Sequence, residues 1–251
     1  MQITTITPAR PASQDRSGLM YVRSYLFIRL LIGFLGWSLP FVVVLGALWL
    51  GDTEPWRGSL SSYYHSGMRD FFVGSLCATG VFLLSYMAFE RNWDNVLSVV
   101  AGVSALGVAL LPTSGGETLT PVQRALGETL VGRMHFASAA IFILSLAGIC
   151  WMFGNREATR PDRTPEQHRR GRLLHHGCAA VIVLAVVYVL VAAVASLPGW
   201  VDDRALFLGE TIAVIAFGVS WFVKGTELRL LLGPNPDQGV EDAVESEVEG
   251  T

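Results

Sequence analysis

Charge is scarce in this sequence. Of its 251 residues only 18 are Lys or Arg and 21 are Asp or Glu, and the formal net charge is -3. Such a chain, 51% hydrophobic, is no ordinary soluble domain, and without a basic excess it offers no nucleic-acid surface. Cysteine is equally sparse. Cys77, Cys150 and Cys178 fall inside or at the end of apolar runs with no CxxC spacing, so they are read as small core residues, outside any zinc cluster or disulfide framework. No HExxH pattern and no internal repeat occurs. There is no short apolar core with a small-x-small cleavage site, so the first hydrophobic run is read as a membrane span, not a cleaved leader.

What fills the sequence is hydrocarbon. Apolar runs at Tyr25 to Leu50, Asp70 to Phe89, Asn95 to Leu111, Met134 to Phe153, Gly177 to Leu197 and Ala205 to Val223 each approach the roughly 20 residues that cross a bilayer core. They predict an all-α, polytopic protein with a six-helix transmembrane domain over residues 24–225 and a first helix bent near Pro40. Residues 1–23, with Pro8 and Pro11, read as a disordered cytoplasmic arm, and residues 226–251 as an acidic, disordered cytoplasmic tail. Orientation follows from the basic residues. Arg10, Arg16, Arg23, Arg29, Arg91, the six arginines from Arg156 to Arg172, Lys224 and Arg229 fall on the side of the N-terminus. Only Arg57, Arg69, Arg124, Arg133 and Arg204 fall on the other. This bias predicts both termini inside and a location in the cell (inner) membrane. The arginine-rich loop serves as the topological anchor, with contact to anionic lipid as the functional alternative.

Two local patterns refine the bundle. Thr120-Pro121-Val122-Gln123 has the form of a capping box with proline at the first helical position, and it opens a short amphipathic segment striped by Val122, Leu126 and Leu130. Ala101, Ala105 and Ala109, with Gly102 and Gly107, and the pair Gly74 and Ala78 on the second helix, are spaced for close helix contact in lipid. They predict a central third helix. At the far end of the sixth, Lys224 is expected to snorkel towards the interface beside Trp221.

Chemistry concentrates in Ser59 to Gly74, where serines, tyrosines, His65, Arg69 and Asp70 meet the start of the second helix. In an N-in bundle the second, fourth and sixth helices begin at the exterior face with His65 and Asp70, His135, and Glu210. Glu210 lies five residues past Ala205, about 7.5 Å deep at about 1.5 Å per residue. A carboxylate there is a functional candidate by default. The first expectation is a site with Asp70, Glu210 and Ser62 as catalytic groups and His65, His135 and Glu210 as ligands of a divalent metal such as zinc, whose bound water becomes a nucleophile near neutral pH. Tyr64, Arg69, Arg133 and Ser138 complete its polar lining. The alternative is a polar plug that pairs Arg69 or Arg133 with Asp70 and Glu210, or a path for protons or small solutes.

Across Ser62-Tyr-Tyr-His-x3-Arg-Asp-x-Phe-Val-Gly74 and Gly107-Val-Ala-Leu-Leu-Pro-Thr113 the chain resembles bacterial multi-pass membrane proteins that share a domain of unknown function, over most of residues 25–225. The resemblance implies the fold and no activity. A more distant likeness is to the superfamily of alkaline ceramidases and progestin-receptor-like (PAQR) proteins, which set Ser, Asp and three His around zinc in seven helices. Ser62 or Ser66, Asp70, His65 and His135 fill part of that pattern. This sequence departs from it with six helices, no HxxxH pair in the last one, and Glu210 in its place. That likeness implies a metal-dependent hydrolase of a lipid or amphiphile. The competing expectation is a non-enzymatic membrane protein with the bilayer as its partner.

Overall fold

The computed structural model describes residues 12–85, 93–116, 118–157, 164–195, 199 and 203–231, and among them every regular element is a helix. α1 spans Ala12–Trp49, α2 Arg69–Ser85, α3 Trp93–Leu110, α4 Pro121–Leu126, α5 Glu128–Glu157, α6 Pro165–Val194 and α7 Ala205–Leu231, with a 3-10 helix at Ser61–His65 before α2. Four helices are long and apolar enough to cross a membrane: Leu26–Trp49 of α1, all of α5, all of α6, and Ala205–Gly225 of α7. Asn95–Leu110 of α3 is a shorter apolar helix, and the described part of α2 is 17 residues long.

The helices close into a ring that follows chain order, with α1 beside α2, α2 beside α3, α3 beside α5, α5 beside α6, α6 beside α7 and α7 back beside α1. α5 also touches α7 across the ring, so these two, not α3, hold the middle. The expected small-residue packing is present with different partners. A Cβ on Gly80 would fall 2.9 Å from the carbonyl oxygen of Gly102, and one on Gly102 would fall 2.8 Å from that of Gly80, so α2 and α3 cross backbone to backbone. Gly74 faces open space, because the tighter crossing lies further along α2.

The boundaries differ from expectation where helix propagation is cheap. α1 begins at Ala12, so the second half of the expected arm is helical, and α7 runs past residue 225 to Leu231. Extending a formed helix adds one hydrogen bond per residue fixed, without a new nucleus. The α5–α6 loop shortens from both ends, with Thr164-Pro165-Glu166-Gln167 forming a second capping box like that of Thr120. Pro40 lies inside a continuous α1. Residues 1–11 and 232–251, Arg91, Arg160 and Arg163 lie outside the described residues.

At the end of the bundle where α1 and α7 carry Arg29 and Lys224, an ionic cluster is buried. Lys224 does not snorkel. Its ammonium, 5% exposed as a residue, pairs with the fully buried carboxylate of Glu157, while Arg29 and Lys224 lie 5.7 and 5.9 Å from the Phe153 ring centre. His175 Nδ1 meets Ser220 Oγ at 2.8 Å in the same layer. An ion pair in hydrocarbon stands only when both charges are matched, and here α5 and α7 supply one charge each.

Candidate functional site

The opposite end is built by two loops that fold down onto the starts of α5 and α7. The loop after α1 is tied internally: Arg57 donates to Asp52 at 2.9 Å, and Tyr63, fully buried, donates its hydroxyl to the carbonyl of Pro55. Arg57 holds the Asp52 carboxyl below its ordinary value, and burial raises the Tyr63 phenol. Glu210 then takes the start of the 3-10 helix. Its Oε2 accepts from the Leu60 and Ser61 N–H groups at 2.6 and 3.3 Å, and its Oε1 from the Ser61 hydroxyl at 3.3 Å. A carboxylate at a helix start satisfies donors that have no other partner in an apolar setting, and it meets the positive end of the helix dipole.

The loop after α3 is held by two imidazoles. His135 Nδ1 donates to the carbonyl of Leu111 at 2.6 Å, and His65 Nε2 to that of Thr113 at 2.8 Å. Carbonyls only accept, so these contacts fix the protonated nitrogen on each ring. Thr113 O also receives Gln123 Nε2 at 3.1 Å, and the capping box that starts α4 is complete, so Gln123, 2% exposed, stitches α4 to the loop. Ser62 to Gly74 and Gly107 to Thr113, separated by most of two helices, are thereby joined through the His65–Thr113 bond.

Between α5, α6 and α7, beneath these loops, lies a cavity of about 530 Å³. Its walls are apolar and include Ala140, Ile143, Leu144, Val186, Val189 and Ala213. Its polar end is Ser59, Ser61, Ser62, Thr113, Ser114, His135 and Glu210. Among the described residues no Lys or Arg lines it. The loop contacts account for part of each polar residue, and two polar atoms remain unspent. His135, 4% exposed, has no partner for Nε2, and the Thr113 hydroxyl has none either.

Of the residues expected at a site, Glu210, His135 and Ser62 line this cavity. His65 packs on the loop, against Gly116 and 5.3 Å from the Tyr64 ring, with its Nε2 on Thr113. Asp70 is exposed at the start of α2. Arg69 donates to the Tyr64 hydroxyl at 2.9 Å and covers its ring, while Arg133 is exposed, so among the described residues neither arginine pairs with Glu210 or Asp70. Ser138 faces α3, where Gly107 makes room for it. Among the described residues no three His, Cys, Asp or Glu side chains gather as a metal site requires. Of the three expected ligands, His135 and Glu210 line the cavity, but His65 lies on the loop outside that lining with its Nε2 on Thr113, so the set does not come together. That arrangement does not fit a metal. Ser59, Ser61 and Thr113 were missed as lining residues because nothing in their spacing shows that two loops meet over α7. Glu157 was missed because its partner stands 67 residues later.

Fold and site together define a helical bundle with membrane-length helices and an apolar cavity that ends in hydroxyl, imidazole and carboxylate groups. No family profile, curated protein or solved structure matches the chain.

Proposed function

We propose that this is a six-span membrane protein, N-in and C-in, that binds an amphiphile in the cavity between α5, α6 and α7. The carrying observation is the cavity's division into a long apolar wall and one polar end. Its volume lies within the roughly 300–1,000 Å³ of small-molecule sites, and such sites are mostly apolar with a few placed polar groups. The arginine bias supports the orientation and a place in the inner membrane, and it sets the polar end towards the exterior. Ser62 and Thr113, one from each stretch that carries the likeness to bacterial multi-pass membrane proteins, stand at the cavity's polar end. The test is native mass spectrometry of protein released from its own membranes in a mild detergent. A bound amphiphile is expected on the wild type and absent from Ala140→Trp, which fills the cavity from its exposed rim; an identical adduct on both contradicts the proposal.

Hydrolysis of the same amphiphile is the second reading, favoured by the unpartnered Nε2 of His135 beside several hydroxyls. In this reading His135 serves as base towards water. Ser62 donates to Ser59 O at 2.6 Å and Ser61 to Glu210, so neither serine is paired with the imidazole as an activated nucleophile is. Release of fatty acid from a monoacylglycerol, lost in His135→Ala while the amphiphile still binds, is the result expected of this reading. Binding without turnover in the wild type leaves a binding protein.

A further inference from the structure

Among the described residues, the polar end of the cavity is rich in acceptors and has no cation. Glu210 contributes a carboxylate whose neighbours are two N–H groups and a hydroxyl, and no described arginine or lysine lines the space. His135 gives its Nδ1–H to Leu111 O, which leaves Nε2 of the neutral ring as a lone-pair acceptor, at 4% residue exposure and with no partner. The hydroxyls of Ser59 and Ser62 are turned to each other's backbone: Ser62 Oγ donates to Ser59 O, and Ser59 Oγ accepts from Ser62 N. A phosphate or carboxylate head placed here meets a buried carboxylate and lone pairs with no compensating charge, an arrangement that excludes a ligand more strongly than it selects one. A head that donates hydrogen bonds finds the oxygens of Glu210, the acidic group in the lining, to accept them.

Resting on the amphiphile-binding reading, we propose that the cavity selects a single-chain amphiphile whose head carries no negative charge and donates hydrogen bonds, a hydroxyl or an amine, and that Glu210 sets this choice. The chain lies along Ala140, Ile143, Leu144 and Val186, with the head under Ser61 and Thr113. Glu210 does the rejecting: an anionic head meets an acidic group there and no cation among the described lining residues.

The test uses full-length protein in an uncharged maltoside detergent and three probes with the same oleoyl or oleyl chain: monooleoylglycerol, oleylamine and oleoyl lysophosphatidic acid. Affinities are read by competition against a fluorescent monoacylglycerol. The first two are expected to bind at least tenfold tighter than the third, and Glu210→Gln is expected to narrow that gap to within threefold by strengthening the lysophosphatidic acid. Ala140→Trp is expected to abolish binding of all three, and Ala139→Trp repeats that control from the next position should the first variant not fold. Equal or tighter binding of lysophosphatidic acid to the wild type overturns the headgroup inference while leaving amphiphile binding intact. A gap unchanged in a folded Glu210→Gln overturns the role of Glu210. Absence of binding by every probe, or binding that both cavity-filling variants leave unchanged, overturns the amphiphile reading itself.

Discussion

His135 and Glu210 each do two things, and the structural one is the easier to measure. His135 completes the Leu111 carbonyl just past the end of α3, where hydrocarbon offers no water to replace it. His135→Ala is expected to lower stability in detergent by about 1–3 kcal/mol, the range for stranding a buried acceptor, read as a drop in thermal midpoint. Asp52 gives a pH prediction with a definite sign. Its carboxyl is held below the ordinary value of 3.8, first by the Arg57 hydrogen bond, so the ionised form is favoured in the folded loop. The stabilisation is therefore present at neutral pH and is lost as pH falls through the lowered value. The midpoint difference between wild type and Asp52→Asn is expected to be constant between about pH 5 and 8 and to shrink towards zero in stronger acid. A difference that grows on acidification refutes this assignment. At this scale the sequence was legible in part. Residue type and depth were enough to single out Glu210 and His135. Their partners are backbone groups of loops about 150 and 24 residues away, and a backbone N–H or carbonyl leaves no mark in a side-chain pattern.

Between elements, two contacts within the bundle lend themselves to direct tests. At the α2–α3 crossing Gly102→Ala forces a methyl against the Gly80 carbonyl, so a loss of about 1–3 kcal/mol is expected, whereas Gly74→Ala, facing open space on the same α2, is expected within about 0.5 kcal/mol of wild type. Equal effects at the two positions would show that the crossing is not where the structure places it. The Glu157–Lys224 pair joins α5 to α7 at the other end of the bundle. Lys224→Met removes the ammonium that pairs with the buried Glu157 carboxylate and is expected to cost about 3–5 kcal/mol, while the double variant Glu157→Met with Lys224→Met is expected to cost less, because a buried pair is hard to break and easier to replace. Both thermal midpoints are measured side by side. The capping box at Thr120 could be read from sequence because it is a local device. The identical Thr-Pro-x-Gln form at Thr164 carried the same signal, hidden by the arginines that made its surroundings look like a loop.

For the whole molecule, the all-helical class followed from composition alone, since a chain this apolar must satisfy its backbone within each segment. Four of the expected segments coincide with helices long and apolar enough to cross a membrane, and Asn95–Leu110 is a shorter one. The ring order and the meeting of two loops over α7 did not follow from composition, because they depend on contacts between residues far apart in sequence, which hydropathy does not encode. The orientation has its own test. Single cysteines at Ser114 and Glu166, in a background lacking Cys77, Cys150 and Cys178, are expected to react with a membrane-impermeant maleimide in intact cells at Ser114 and only after lysis at Glu166. The reverse pattern contradicts N-in, C-in. The central claim is that the cavity takes the chain of an amphiphile, and the most direct measurement is photo-crosslinking in native membranes with a monoacylglycerol bearing a diazirine near the end of its chain. Adducts mapped by peptide sequencing to Ala139–Leu144, Ala185–Leu190 or Leu206–Ala213, and displaced by unlabelled monoacylglycerol, are the predicted result. Adducts confined to exposed residues outside the cavity, such as Phe41, Leu48 and Leu173, with no displacement, would contradict it.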